Sequence, residues 1–154
     1  ALDADADLLR RLGLLVDLSH VSPDTMRDAL RVTTAPVIFS HSSTRALTDH
    51  PRNVPDDILK ELPRNGGVVM INFFSAFIAP TAELARDKET RGTLAQVADH
   101  IDHAVRMAGI DHVGLGADYD GVTRLPVGLE DVSTYPALTT ELLRRGYTRD
   151  QLHK

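Results

Sequence analysis

Apolar positions in this chain cluster into short, nearly unbroken runs set between longer stretches of helical spacing. Residues 14–19 (LLVDLS), 35–41 (APVIFSH), 68–74 (VVMINFF) and 112–121 (HVGLGADYDG) read as buried strands with their exits. Between them the period changes. Leu2, Leu8, Leu9 and Leu12 share helical spacing, and Gly13 stops that helix. Ser22 with Pro23 predicts a capped helix to about Val32. Pro55 followed by Asp56 and Asp57 predicts another, with acids at its positive end. Thr93 and Gln96 form a capping box, and Leu94, Val97, Ala98, Ile101, Val105 and Ala108 fall on one face before Gly109. A last helix is expected over 136–145, ending at Gly146. Residues 79–92 show no period and are expected to form an excursion loop.

Strands alternating with helices imply a parallel sheet with crossover helices, an α/β fold. Strands without apolar alternation suit a sheet covered on both faces. In such folds chemistry gathers at the C-terminal strand ends. Ser19 and His20, Ser40 and His41, Asn72, Asp118 and Asp120 lie at those places.

His20 and His41 end consecutive strands. Two imidazoles converging on one mouth suit a divalent metal, zinc above all; each could instead cap a helix or satisfy loop carbonyls. Asp17, inside the first strand, could orient a ligand imidazole or serve as a buried structural acid. Asp118 could ligate metal or move a proton, or simply make a turn. Asp120, before Gly121, reads as a turn residue. Arg52 could clamp a carboxylate or lie on the surface. His100 and His103 stand three apart on a helix, but its apolar stripe sets them aside as a solvent-facing pair. No serine-nucleophile motif is present in SHSS.

Composition narrows these options. At 154 residues, the chain is expected to form a single domain or a fragment of one. A net charge of −5 and the lack of a basic run argue against nucleic acid. With no cysteine, any zinc site must use His, Asp or Glu. No apolar run reaches the roughly 20 residues of a membrane span, and the composition suits a cytoplasmic protein.

The strings LGLLVDLSHVS, APVIFSHSS, RNVPDD, QVADHIDH, GLGADYDGV and GLEDVSTYPALTTELLRRG, in this order, resemble the membrane (renal) dipeptidase family of zinc peptidases. The resemblance implies a (β/α)8 TIM-type barrel with two bridged zinc ions, and hydrolysis of dipeptides by a metal-activated water. His20 and His41 then resemble the ligands of the second zinc. Arg52 resembles the residue that grips the substrate carboxylate, and Asp118 the aspartate that shuttles a proton. Phe77 stands near the expected substrate pocket, where some relatives carry tyrosine.

The family's His-x-Asp ligand pair, bridging Glu and oxyanion histidine fall upstream of the matched part. A barrel of this kind takes about 250 residues. The expectation is therefore a partial barrel, about strands 5–8 with their helices, completed by the missing half or by another copy of the chain. The alternatives are a non-catalytic half-barrel binding module, or another metal hydrolase of the same barrel type.

Overall fold

The computed structural model describes residues 8–9 and 11–154. Four strands, β1 (Val16–Asp17), β2 (Val37–Ser42), β3 (Val68–Ile71) and β4 (Val113–Leu115), form one sheet in the order β1-β2-β3-β4. Every pairing is parallel, with Val16 opposite Val37, Ile38 opposite Val68 and Val69 opposite Val113. Each connection therefore has to cross the sheet, and each does so through helix. The order is that of successive (β/α) units in a TIM-type barrel, of which this sheet is a part.

Local sequence explains much of this. In α1 (Pro23–Val32), the Ser22 hydroxyl accepts the Thr25 amide at 3.2 Å, and Met26 and Leu30 supply the buried face. The helix predicted at Pro55 is two single turns, α2 (Asp56–Leu59) and α3 (Leu62–Asn65). Pro63 accounts for the break, since it has no amide to give the Leu59 carbonyl.

Two expectations need correction after β3. The strand stops at Ile71, because the Asn72 side chain accepts the Phe74 amide and turns the chain into α4 (Ser75–Ile78). Residues 79–92 are not loop throughout: α5 spans Thr81–Arg86. None of its residues is buried, so it lacks the apolar stripe by which a helix is recognised. This excursion is tied to the segment after β4 by Glu89–Arg124 at 2.8 Å and by Arg91 donating to the Leu125 and Pro126 carbonyls.

The long helix α6 (Leu94–Ala108) has the expected capping box, made in both directions by Thr93 and Gln96. Val97, Ala98, Ile101, Ala104 and Ala108 are buried beneath it. His100 and His103 are not solvent-facing, being 1% and 9% exposed. The helix is covered on more than its apolar stripe, because the loop after β2 and the start of α2 fold over this flank as well. Then α7 (Tyr135–Arg144) docks on α6 through Arg145, which binds Glu141, Asp99 and Asp102. A short α8 (Arg149–Leu152) follows.

The sheet curls strongly. A Cβ on Gly116, just past β4, would lie 2.0 Å from the Ser40 carbonyl oxygen of β2. In a flat sheet, with strands about 4.8 Å apart, two strands separated by a third would not meet. Both outer strands carry exposed apolar residues: Leu14 (54%) and Leu15 (74%) flank β1, and Leu115 (36%) ends β4. The predicted first helix is helical at Leu8, Leu9 and Arg11; its Leu2 lies outside the described residues. No helix among the described residues is long and apolar enough to cross a membrane.

Candidate functional site

The ladder between β2 and β3 is irregular between Phe39 and Ser42. His41 sits in that irregularity, a device that re-aims side chains at sheet ends. Its Nε2 lies 2.8 Å from Nε2 of His20, from the exit of β1. The rings are 4.9 Å apart and tilted by 59°, so they meet edge to edge rather than stacking.

The far side of His41 explains which nitrogen is free. His41 Nδ1 is 2.7 Å from the Ser40 hydroxyl, and that hydroxyl is 2.5 Å from Asp17 Oδ2. A carboxylate can only accept, so Ser40 donates to Asp17 and accepts from His41 Nδ1–H. That tautomer leaves Nε2 with its lone pair, facing His20. Asp17 is fixed as well. Burial works against its charge, but hydrogen bonds from the Ser40 hydroxyl and amide and from Ser19 hold its carboxyl below the usual range. His20 is held towards its neutral form. Burial and the nearby Arg52 and His41 lower its pKa, against the opposing influence of Asp17 and Asp118.

Arg52 reaches back across the mouth. Its Nε donates to the Ser19 carbonyl at 2.6 Å and its Nη2 to the His41 carbonyl at 3.2 Å. The guanidinium also lies 5.3 Å from the centre of the Phe77 ring. Phe77 is buried and packs against the His50 ring at 4.5 Å and the Phe74 ring at 5.0 Å. Burial lowers the Arg52 pKa, partly offset by Asp118 and Asp17. An arginine starts so far above neutrality that it stays charged. Among the described residues, Arg52 Nη1 has no hydrogen-bond partner.

Asp118 completes the group. Its backbone is left-handed, φ 62°, as is that of Asp120 at φ 65°. The Asn72 side-chain amide donates to Asp118 Oδ2 at 3.2 Å. A Cβ on Gly121 would lie 2.2 Å from Asp118 Oδ1, so only glycine leaves that carboxylate its place. Asp118 acts electrostatically on both His20 and Arg52. The structure thus brings His20, His41, Arg52, Phe77 and Asp118 to one end of the sheet. Ser40 and Asn72, expected at the strand ends but given no role there, hold two of them in position.

Two zinc ligands at about 2.0–2.1 Å in tetrahedral geometry stand about 3.3 Å apart. The 2.8 Å between the two Nε2 atoms is within a small side-chain rotation of that. The pair fits as part of a coordination shell and not as the whole. Among the described residues no group of three or more His, Asp or Glu could hold a metal ion.

Comparison with known proteins gives this arrangement its context. Residues 7–154 match the family model described as membrane dipeptidase (peptidase family M19). A Schizosaccharomyces pombe protein described as an uncharacterized dipeptidase is 53% identical over 137 residues, covering 89% of this chain and 32% of that protein. The structure of a metallo peptidase from Rhodobacter sphaeroides, liganded with a phosphinate mimic of the dipeptide L-Ala-D-Ala, superposes with a TM-score of 0.86 at 31% identity. It is matched over 97% of this chain and 41% of its own. The probable dipeptidase PvdM from Pseudomonas aeruginosa gives 0.84 at 26% identity, over 97% of this chain and 49% of its own. The chain spans about a third of its curated relative and less than half of these two structures. With the family model matched over nearly its whole length, the chain belongs to the membrane dipeptidase family, peptidase family M19.

Proposed function

We propose that this chain carries the second-zinc and substrate-gripping part of a zinc-dependent dipeptidase whose complete site holds two zinc ions. His20 and His41 would hold zinc through their Nε2 atoms, and the remaining ligands would come from the other barrel half or from another copy. Zinc bound there would supply a water activated near neutral pH. The chain's own residues would do the rest. Asp118 would accept a proton on its carboxylate and hand it to the leaving amine. Arg52 pairs with the free carboxylate of a dipeptide, and Phe77 walls the pocket beside it.

The observation that carries this reading is how Arg52 is anchored. Its two hydrogen bonds go to the carbonyls of Ser19 and His41, one residue before a candidate ligand and a candidate ligand itself. The guanidinium therefore has a fixed offset from the histidine pair. Such an offset would suit a carboxylate one residue past the scissile bond, and so dipeptides over longer peptides. The relative solved with a dipeptide mimic supports the substrate class.

The test compares Arg52→Ala with the parent in the zinc-loaded protein, on a dipeptide and on its C-terminal amide. The dipeptide should lose about 100-fold or more in kcat/KM, as expected when a charge-assisted pair is removed, while the amide changes little. Equal losses on both would remove the carboxylate role of Arg52. Zinc retained equally by the parent and by His41→Ala would remove the metal role of the pair.

A further inference from the structure

We infer that His100 and His103 act as a clamp by which α6 fixes the loop carrying Arg52, making both histidines positioning residues for the substrate-carboxylate grip. The second half of that statement rests on the reading of Arg52 given above. The clamp itself stands on geometry alone.

The loop between β2 and α2 is closed at its base by a single β-bridge from Thr44 to Val54, which joins it only to itself, yet it must hold a charged side chain still against the rest of the fold. It is pinned near both ends to one turn of α6. Near its start, His100 Nδ1 is 3.1 Å from the Thr44 amide and 2.9 Å from the Thr44 hydroxyl. The amide can only donate, so Nδ1 carries the lone pair and the proton sits on Nε2. That Nε2–H donates to the Ile78 carbonyl at 3.2 Å. One imidazole thus ties the Arg52 loop to α4, and α4 carries Phe77 beneath the guanidinium. At the other end, His103 Nε2–H donates to Asp56 Oδ1 at 2.8 Å, in the first turn of α2.

Bonds within the loop carry the constraint to Arg52. Asn53 Oδ1 accepts the Ser43 amide, and its Nδ2 donates to the carbonyls of Thr48 and Phe77 at 2.9 Å each. Thr48 donates its hydroxyl to the Ala79 carbonyl at 2.9 Å. Asn53, Thr44, Thr48 and His100 are all essentially inaccessible to solvent. Buried polar groups with every bond made hold one arrangement, because each bond lost leaves an unpaired group. Arg52 adjoins Asn53 in this net and emerges from it to the mouth.

The test reads the loop directly. Proton exchange at Arg52 Nε–H and at the Thr44 amide is measured in the chain, beside global stability by denaturant. The variants are His100→Leu, His100→Asn and His103→Ala. Asparagine keeps an acceptor where Nδ1 was. After correction for global stability, His100→Leu and His103→Ala should each speed Arg52 Nε–H exchange about tenfold, the scale of one lost buried bond, and His100→Asn should restore most of the protection. If His100→Leu does not fold, His103→Ala decides the matter. Exchange at Arg52 within twofold of the parent in folded His103→Ala and, where it folds, in His100→Leu, would overturn the clamp. In zinc-loaded protein His100→Leu and His103→Ala should raise dipeptide KM while keeping kcat, and His100→Asn should stay near the parent. An exchange response without any change in KM would uphold the clamp and sink the carboxylate reading of Arg52.

Discussion

Two pairs of histidines occupy opposite situations in this chain. His20 and His41 meet at the open end of the sheet, each with Nε2 turned towards the other. His100 and His103 lie buried along α6, with His100 bonded through both nitrogens and His103 bonded to Asp56. The two Nε2 atoms of the first pair meet only each other at the open mouth, whereas His100 has spent its lone pair on Thr44 and His103 its Nε2–H on Asp56. A metal needs an uncommitted nitrogen, so accessibility of the lone pair, rather than spacing along the chain, separates a candidate ligand from a structural tie.

The sharpest way to break this contrast is to remove one histidine from each pair and read zinc and stability together. His41→Ala should abolish zinc retention after dialysis while shifting the denaturation midpoint little, because the residue is partly exposed and its ring bonds only Ser40 and His20 at the sheet's end. His100→Leu should do the reverse, leaving zinc retention intact and costing about 2–3 kcal/mol for the unpaired Thr44 amide and Ile78 carbonyl. Metal analysis and urea unfolding on the same preparations decide it. Zinc lost equally from both variants would erase the distinction.

Acid sharpens the contrast from the other side. Burial holds His100 at about 4, well below its ordinary 6.5, against the opposing pull of its bond to the Ile78 carbonyl and of Asp99, with His103 pushing the same way as burial. The unfolded chain therefore takes up a proton between pH 6.5 and 4 that the folded chain refuses. Stability from this residue is complete above pH 6.5 and declines as pH falls through that window, by up to about 3 kcal/mol. His50, lowered by burial and by Arg52 and Arg45, adds to the same trend. Urea midpoints at pH 7, 5.5 and 4.5 should fall steadily for the parent and less steeply for His100→Asn. Parallel curves would place the acid sensitivity elsewhere.

What the sequence discloses tracks how local each cause is. Ser22 before Pro23, and Thr93 with Gln96, are complete signals within a few residues, and both helices start where those signals lie. The four strands and their parallel order follow from apolar runs alternating with helices. His20, His41, Arg52 and Asp118 stand out as polar residues at strand exits, and the family resemblance names them together. His100 could not be read this way. Its burial comes from Thr44 and Ile78, remote in sequence, and a helix stripe carries no record of a loop folding over its flank. The helix α5 was invisible for a related reason, since it buries nothing. The Asn72 contact with Asp118 and the Asp17 contact with Ser40 join different strands, so only the register of the sheet discloses them.

Ser40 offers the finest cut through the comparison, because it alone decides whether His41 belongs to the open pair or the committed one. Its hydroxyl accepts from His41 Nδ1–H and donates to Asp17 Oδ2, which keeps the lone pair of His41 on Nε2. Ser40→Ala removes that relay and leaves the histidine and the strand in place. Without it, either ring nitrogen can carry the proton, and the ring is free to turn. Loss of such an outer contact lowers metal affinity about 10- to 100-fold. Zinc titration against a competing chelator should show that drop in Ser40→Ala with the unfolding midpoint nearly unchanged, and Ser40→Thr, which keeps the hydroxyl, should recover most of it. If Ser40→Ala binds zinc as tightly as the parent, the orientation of His41 is set by the edge contact with His20 and not by the acid beneath it.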